Sequence, residues 1–221
     1  MDIPANLLPT AWLVVGGVLY ALVLMAALVT ARWSRVRDSE AQNIYLAVMV
    51  AISLLWVLRG GIQAGLNYHL LGMTLLCLMF EWQFAVFAAG LVVAFSTWQG
   101  GSGWAAFGVN VMLMGVLPIL FTRVLLYICQ RRLPHNYFIY VFVNAFLAGA
   151  LSLLLAGGAS GLLQHIAGVQ PAGTISSNFL LILPMLMFGE GFINGGTLSL
   201  VVAFRPQWVA TFHDRWYLVG K

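Results

Sequence analysis

Residues Leu8–Ala31 read LPTAWLVVGGVLYALVLMAALVTA, and Arg32, Arg35 and Arg37 follow directly. These 24 residues carry no charged side chain. About 20 apolar residues are enough for a helix to cross the hydrocarbon core of a bilayer. The arginines end the run where polar solvent should begin. Six further apolar segments follow: Ile44–Leu58, His69–Phe80, Gln83–Trp98, Val109–Cys129, Tyr137–Leu163 and Phe179–Phe204. The third and fourth of the seven are short, and Glu81 separates them. They are expected to form a tight helical hairpin or a partly re-entrant pair. A re-entrant pair is tolerable only where protein or a water-filled cavity surrounds it.

Composition points the same way. Of the 221 residues, 62% are hydrophobic and 7% are charged, whereas a soluble domain carries about 25% charged residues. The mean hydropathy is +0.96. Lipid offers no hydrogen-bond partners to the backbone, so helices are the expected spanning structure. The alternating pattern of a membrane barrel is absent. The predicted fold is therefore all-α: a polytopic integral membrane protein of about seven transmembrane helices. With no repeat and no separating linker, residues 1–221 are expected to form a single transmembrane domain.

Charge then sets the expected orientation. With the N-terminus outside and seven spans, the C-terminus is cytoplasmic. Arg32, Arg35, Arg37, Arg123, Arg131, Arg132, Arg205, Arg215 and Lys221 then fall on the cytoplasmic side, and Arg59 alone falls outside. Nine against one follows the positive-inside rule. The basic residues sit at helix ends rather than in one patch, so the net charge of +4 does not point to nucleic acid. The first apolar run lacks a basic leader, so Met1 is expected to be retained. Cys77 and Cys129 lie inside apolar segments and form no CxxC pair, so a disulfide is not expected.

Several chemistries find no motif. The chain has no GxxxxGK[ST] loop for ATP, no HExxH, no GxSxG and no SxxK. An enzyme is not expected, and energy for uphill transport would come from an ion gradient or a separate subunit. Ionisable groups within apolar segments carry the functional weight, because burying them is expensive. Glu81 reads as an interfacial turn residue near the cytoplasmic face. Glu190 lies inside the last segment with Asn194 at i+4 on the same helix face. That pair is either an interhelical hydrogen-bond node or a support for a substrate site. An enzyme built on Glu190 and His69 is disfavoured by their different expected depths. His69 opens the third segment on the outer side, where an interfacial packing role and a ligand role both remain open. His165 is similar, and His135 and His213 read as loop residues. Met73, Cys77, Met79, Met112, Met114, Met185 and Met187 offer soft donors, but methionine is also ordinary packing material. Gly60-Gly61 and Gly195-Gly196 suggest close helix packing, and Gly100–Gly103 suggests a turn.

Four ordered features carry a resemblance. They are Met1-Asp2-Ile3-Pro4 followed by Leu8-Pro9 and Trp12; His69-Leu70-Leu71-Gly72; Gly108-Val109-Asn110-Val111-Met112-Leu113-Met114-Gly115; and Gly189-Glu190-Gly191-Phe192-Ile193-Asn194. In this order they resemble the CbiM/NikM-type family, the substrate-binding membrane subunits (S components) of energy-coupling factor transporters for cobalt and nickel. Members of that family begin Met-His-Ile. They then carry a His-Pro-Thr-Gly type segment, a Gly-Ala-Asn-Val…Met-Gly segment, and Gly-Glu-Ala-Leu/Ile-Thr.

The resemblance implies a square-planar metal site outside the membrane. Its donors are the free amine of residue 1, the deprotonated amide and side chain of residue 2, and a later histidine. Such geometry suits Ni(II), Co(II) or Cu(II). Carried over, it makes Met1, Asp2 and His69 the metal ligands, with Asn67, Asn110, Glu190 and Asn194 as supporting residues. Asn67 would position its near neighbour His69. Position 2 departs from the family, since Asp2 stands where histidine is usual. A β-carboxylate closes a chelate ring of the same size as an imidazole Nδ1 does. It is a harder donor, which weakens the expectation of nickel preference.

The metal, cobalt- or nickel-like, is then a substrate rather than a permanent cofactor. The implied partners are a transmembrane coupling subunit, cytoplasmic ATPase subunits and the lipid bilayer, in a bacterial inner (cytoplasmic) membrane. The other reading is a non-translocating membrane metal-binding or assembly protein of the same fold.

Overall fold

The computed structural model describes residues 1–61, 64–100, 102–213 and 217. Arg215 and Lys221 of the charge count and Gly101 of the glycine run lie outside them.

Among the described residues five helices are long and apolar enough to cross a membrane: α1 (Thr10–Thr30), α3 (Met73–Gly100), α4 (Trp104–Arg132), α5 (Tyr137–Ile166) and α6 (Leu183–Phe204). A shorter apolar helix, α2 (Ser39–Leu55), lies between the first two. The protein is a multi-pass membrane protein. The seven apolar segments map onto these six helices, because segments three and four both belong to α3. The helical expectation misses one detail. Gly60–Gly61 (β1) and Asn67–Tyr68 (β2) pair as a small antiparallel hairpin, with Gly61 opposite Asn67. Gly60 and Gly61 therefore serve a strand rather than a helix contact. His69 follows β2 and precedes α3 instead of opening a span.

Local chemistry explains the helix boundaries. Asp38 caps α2, its Oδ2 accepting from the Ala41 N–H at 3.3 Å, as N-cap carboxylates do. Asn136 caps α5 by accepting from the Phe138 N–H at 2.7 Å. Within α4, Met112–Val116 widens into a π-helical turn. Pro118 follows two residues later. A proline inside a helix removes one N–H and clashes with the carbonyl four residues earlier, here Met114.

Burial separates core from lipid face. In the most apolar stretch of α3, 72% of residues are buried, against 17% in α1. α3 is the central helix and α1 a peripheral one. Val14, Val18, Leu22 and Val29 of α1 are exposed, as are Met185, Phe188 and Phe192 of α6. In water such a surface would be a liability, but in lipid it is the expected outer face. α1 docks on α4 through bare backbone, since a Cβ on Gly108 would lie 2.5 Å from the Gly17 Cα.

α3 breaks at Glu81, which has φ 66° and ψ 161°, the one non-glycine positive φ among the described residues. Residues 73–80 form α3a and residues 82–100 form α3b. The break lies at the end of the bundle where α1 and α6 finish. Met79 O accepts from Ala210 N–H at 2.9 Å, and Gln83 Nε2 donates to Thr30 O at 3.3 Å. Arg32 and Arg35 lie 3.8 and 3.7 Å from Glu81 Oε1. The far end of α3b returns to Arg59 at Gly100. α3a and α3b therefore run in opposite directions, as a helical hairpin with one short arm. Its polar turn is at the arginine-rich end, as expected for Glu81.

The ψ at Glu81 belongs to a region that essentially only glycine occupies, at a cost of about 1–3 kcal/mol. Its two long ion pairs are each worth about 0–1 kcal/mol. Glu81→Gly is therefore expected to raise the melting temperature of the detergent-solubilised protein. A lower melting temperature would show that the arginine pairs outweigh the backbone strain.

Candidate metal centre

Residues 1–3 are threaded into the bundle at the end opposite Glu81. Met1 and Ile3 are fully buried and Asp2 is 5% exposed. Buried backbone groups need partners, and two asparagines supply them. The Met1 amine donates to both the backbone O and Oδ1 of Asn67. The Asp2 N–H donates to the same Oδ1 at 2.8 Å. Asn110 Oδ1 accepts from the Ile3 N–H at 3.0 Å, while its Nδ2 donates to Asp2 Oδ1 at 2.8 Å and Ile3 O at 3.0 Å. Ser160 Oγ donates to Met1 O at 3.1 Å. Asp2 Oδ2 faces Arg59 Nη1 at 3.5 Å.

His69 completes the group. It is 4% exposed, with its ring 4.3 Å from that of Trp56. Its Nδ1 lies 3.2 Å from Leu70 O, which favours the tautomer with hydrogen on Nδ1. Nε2 is then a lone pair, and it is buried with no hydrogen-bond partner. A buried orphan of this kind calls for an explanation such as an ion.

Protonation favours ligation. Burial pushes the Met1 amine down from 8.0 to about 4, against a raising influence from Asp2. Burial and the nearby amine push His69 down from 6.5 to about 3. Burial raises the Asp2 carboxyl, while the amine and Arg59 pull it back. At neutral pH the amine is a neutral NH2. Its two N–H bonds are used by Asn67, and its lone pair remains. The amine and His69 Nε2 thus present unprotonated donors, as metal ligands must be. Among the described residues no group of three or more His, Cys, Asp or Glu gathers as a metal site.

The supporting residues are placed differently from expectation. Asn67 holds Met1 and Asp2 rather than His69. Glu190 and Asn194 are fully buried and joined by Asn194 Nδ2 to Glu190 Oε1 at 2.8 Å. Neither hydrogen-bonds to Met1, Asp2 or His69. Glu190 Oε2 and Oε1 instead accept from the Leu71 and Gly72 N–H groups, each at 2.7 Å, and Asn194 Oδ1 accepts from Leu75 N–H at 2.8 Å. Together they cap the start of α3a. The expected difference in depth between Glu190 and His69 does not exist, because this cap lies two residues from the histidine. The methionines do not form a path. Met73, Met79 and Met114 pack in hydrophobic clusters, and Met185 is 81% exposed. Cys77 and Cys129 are free thiols.

Residues 2–208 match the family described as the cobalt uptake substrate-specific transmembrane region, CbiM. The chain belongs to the CbiM family. Two solved structures share its fold. The crystal structure of a truncated transition metal transporter aligns at a TM-score of 0.70 with 17% identity, covering 94% of this chain and 99% of that one. The crystal structure of a transition metal transporter aligns at 0.70 with 16% identity, covering 94% and 93%. No curated protein matches the sequence.

Two residues around the centre of this CbiM-family chain carried little sequence signal. Trp56 and Ser160 look like ordinary span residues. Arg59 did stand out, as the single exception to the charge asymmetry.

Glu190→Ala leaves two buried amides without acceptors, each costing about 1–3 kcal/mol. The protein is expected to lose about 3 kcal/mol or more of stability, with Glu190→Gln falling between; denaturation in detergent measures both. The amine and His69 set a pH trend. Between about 4 and 8.0 the unfolded chain holds a proton on the amine that the folded chain lacks, and between about 3 and 6.5 it holds one on His69. Stability should therefore rise as pH increases from 5 to 8 and level off above. A melting temperature that falls over that range would contradict the buried neutral amine.

Proposed function

We propose that this protein is the substrate-binding membrane subunit for uptake of a divalent transition metal of the cobalt/nickel class. Met1, Asp2 and His69 hold the metal, and they do so on the extracytoplasmic side of a bacterial inner membrane. The observation that carries this reading is the buried, partnerless Nε2 of His69 beside an unprotonated amine and a carboxylate. The metal is the cargo rather than a resident cofactor, and transport, not catalysis, is the activity.

Binding replaces one proton. The Asp2 amide gives up the hydrogen it now shares with Asn67, and amine, amide nitrogen, carboxylate and imidazole become a four-donor plane. Asn67 keeps the amine oriented through its two N–H bonds, and Asn110 keeps residues 2 and 3 in register. Outer contacts of this kind commonly matter 10–100-fold for metal affinity. Glu190 sets the loop that carries His69.

The arginine-rich end at Arg32, Arg35 and Glu81 faces the cytoplasm in this reading, following the positive-inside rule. A transmembrane coupling subunit and cytoplasmic ATPases supply the energy for which this chain has no motif. The whole chain acts as one transmembrane domain.

Metal content and affinity of the purified protein test the reading. Co2+ binding is expected to weaken by more than about tenfold, or 1.4 kcal/mol, in His69→Ala and in a variant with one residue added before Met1. The extension moves the amine and changes no side chain. Unchanged affinity and stoichiometry in the extended protein would overturn the amine chelate. Binding without accumulation of radiolabelled metal in cells expressing the full set of subunits would point to a delivery role instead.

A further inference from the structure

Arg59 occupies an unusual position. It is the one cation among the described residues at the Met1 end of the bundle, and it is directed at the candidate centre rather than at solvent. Its side chain is 23% exposed and that of Asp2 is 6%. The two oxygens of Asp2 are unequally committed. Oδ1 takes the Asn110 amide at 2.8 Å, a bond that also fixes the backbone of residues 2 and 3. Oδ2 faces the Arg59 guanidinium at 3.5 Å, and the Ser102 hydroxyl also bears on the carboxyl. That distance is long for a charge-assisted hydrogen bond, which is normally about 2.7–2.9 Å.

The guanidinium also has a second support. A Cβ on Gly100 would lie 2.3 Å from Arg59 Nη1 and 3.0 Å from Cζ and Nη2. The planar fork therefore lies over the backbone of the last residue of α3b, in the space a side chain at position 100 would enter. A helix C-terminus is the negative end of its dipole and favours a cation. Arg59 thus lies between the Asp2 carboxylate and the partly negative end of the α3b dipole at Gly100. Releasing the first does not strand it, because the second remains.

We propose that Arg59 is a resident competitor for the metal, holding Asp2 Oδ2 when the centre is empty and yielding it to an arriving dication while staying on the α3b terminus at Gly100. This rests on the reading of Asp2 as a ligand. A monovalent cation brings no more charge than the arginine it must displace, so it gains nothing at Oδ2. A dication brings twice the charge and wins. The same competition keeps metal affinity below what the four donors alone would give, and a substrate that must be handed on requires that limit. The arginine thereby compensates for the substitution of a charged carboxylate at position 2.

Three measurements on the full-length protein in detergent test this. Co2+ titration of Arg59→Gln is expected to show about tenfold tighter binding and slower dissociation than wild type. In an Asp2→Asn background the Arg59→Gln change is expected to have no such effect, because the competition runs through the carboxylate. In the unmodified protein, site-resolved phenylglyoxal labelling of Arg59 is expected to accelerate when Co2+ is added and to stay unchanged with Na+. Unchanged or weaker Co2+ binding in Arg59→Gln, or labelling of wild-type Arg59 that does not respond to Co2+, overturns the inference. Failure of the underlying reading looks different: wild-type Co2+ binding would then survive the N-terminal extension.

Discussion

Lipid cannot answer a hydrogen bond, and this protein nevertheless buries the polar start of its own chain. The rest of the arrangement follows from that constraint. The amine and first two amides must find acceptors inside the bundle, and Asn67 and Asn110 provide them from a β-strand and a helix that are remote in sequence. Each asparagine works because its side chain offers acceptor and donor in one rigid plane. Their pairing places an amine, a carboxylate and an imidazole in one dry region. Burial then strips the protons from amine and imidazole, so the same desolvation that makes the arrangement costly makes it suitable for a metal.

α3 ties this region to the other end of the molecule. α3a is eight residues, about 12 Å of helix, and it runs from the Glu190 cap beside His69 to the strained turn at Glu81. Its interior contacts are polar and specific. Thr74 meets Thr122 and Ser152 at 2.8 and 3.2 Å, and Thr211 donates to Leu78 O at 2.7 Å. This short rod joins the capped loop beside His69 to the arginine-flanked turn at Glu81. Glu81 keeps its glycine-like backbone because Arg32 and Arg35 hold its side chain from one side and Ala210 holds Met79 from the other.

Much of this was readable before any folding was known. The uncharged run at Leu8–Ala31 and its terminal arginines announced a spanning helix. Glu81 between two short apolar runs announced a hairpin. Met1, Asp2 and His69 were brought together by resemblance, and the structure brings their neighbourhoods together through Asn67. The failures were equally specific. Asn67 and His69 are two positions apart, which suggests a direct contact, yet β2 ends at Tyr68 and the Asn67 side chain is taken up by the Met1 amine and the Asp2 N–H. Glu190 lies well inside the last apolar segment and His69 at the start of the third, which suggests different depths, yet Glu190 accepts from the Leu71 and Gly72 N–H groups next to His69.

The sequence by itself determined solvent, helix content and charge asymmetry. Those depend on composition and on the spacing of neighbours along one chain, which hydropathy and periodicity report directly. Tertiary structure alone decided that Glu190 grips the amides of Leu71 and Gly72, that Nε2 of His69 has no partner, and that Arg59 lies between Asp2 and Gly100. These are contacts between residues dozens to more than a hundred positions apart. Their geometry is set by how helices pack, and no local pattern encodes which buried donor will meet which buried acceptor.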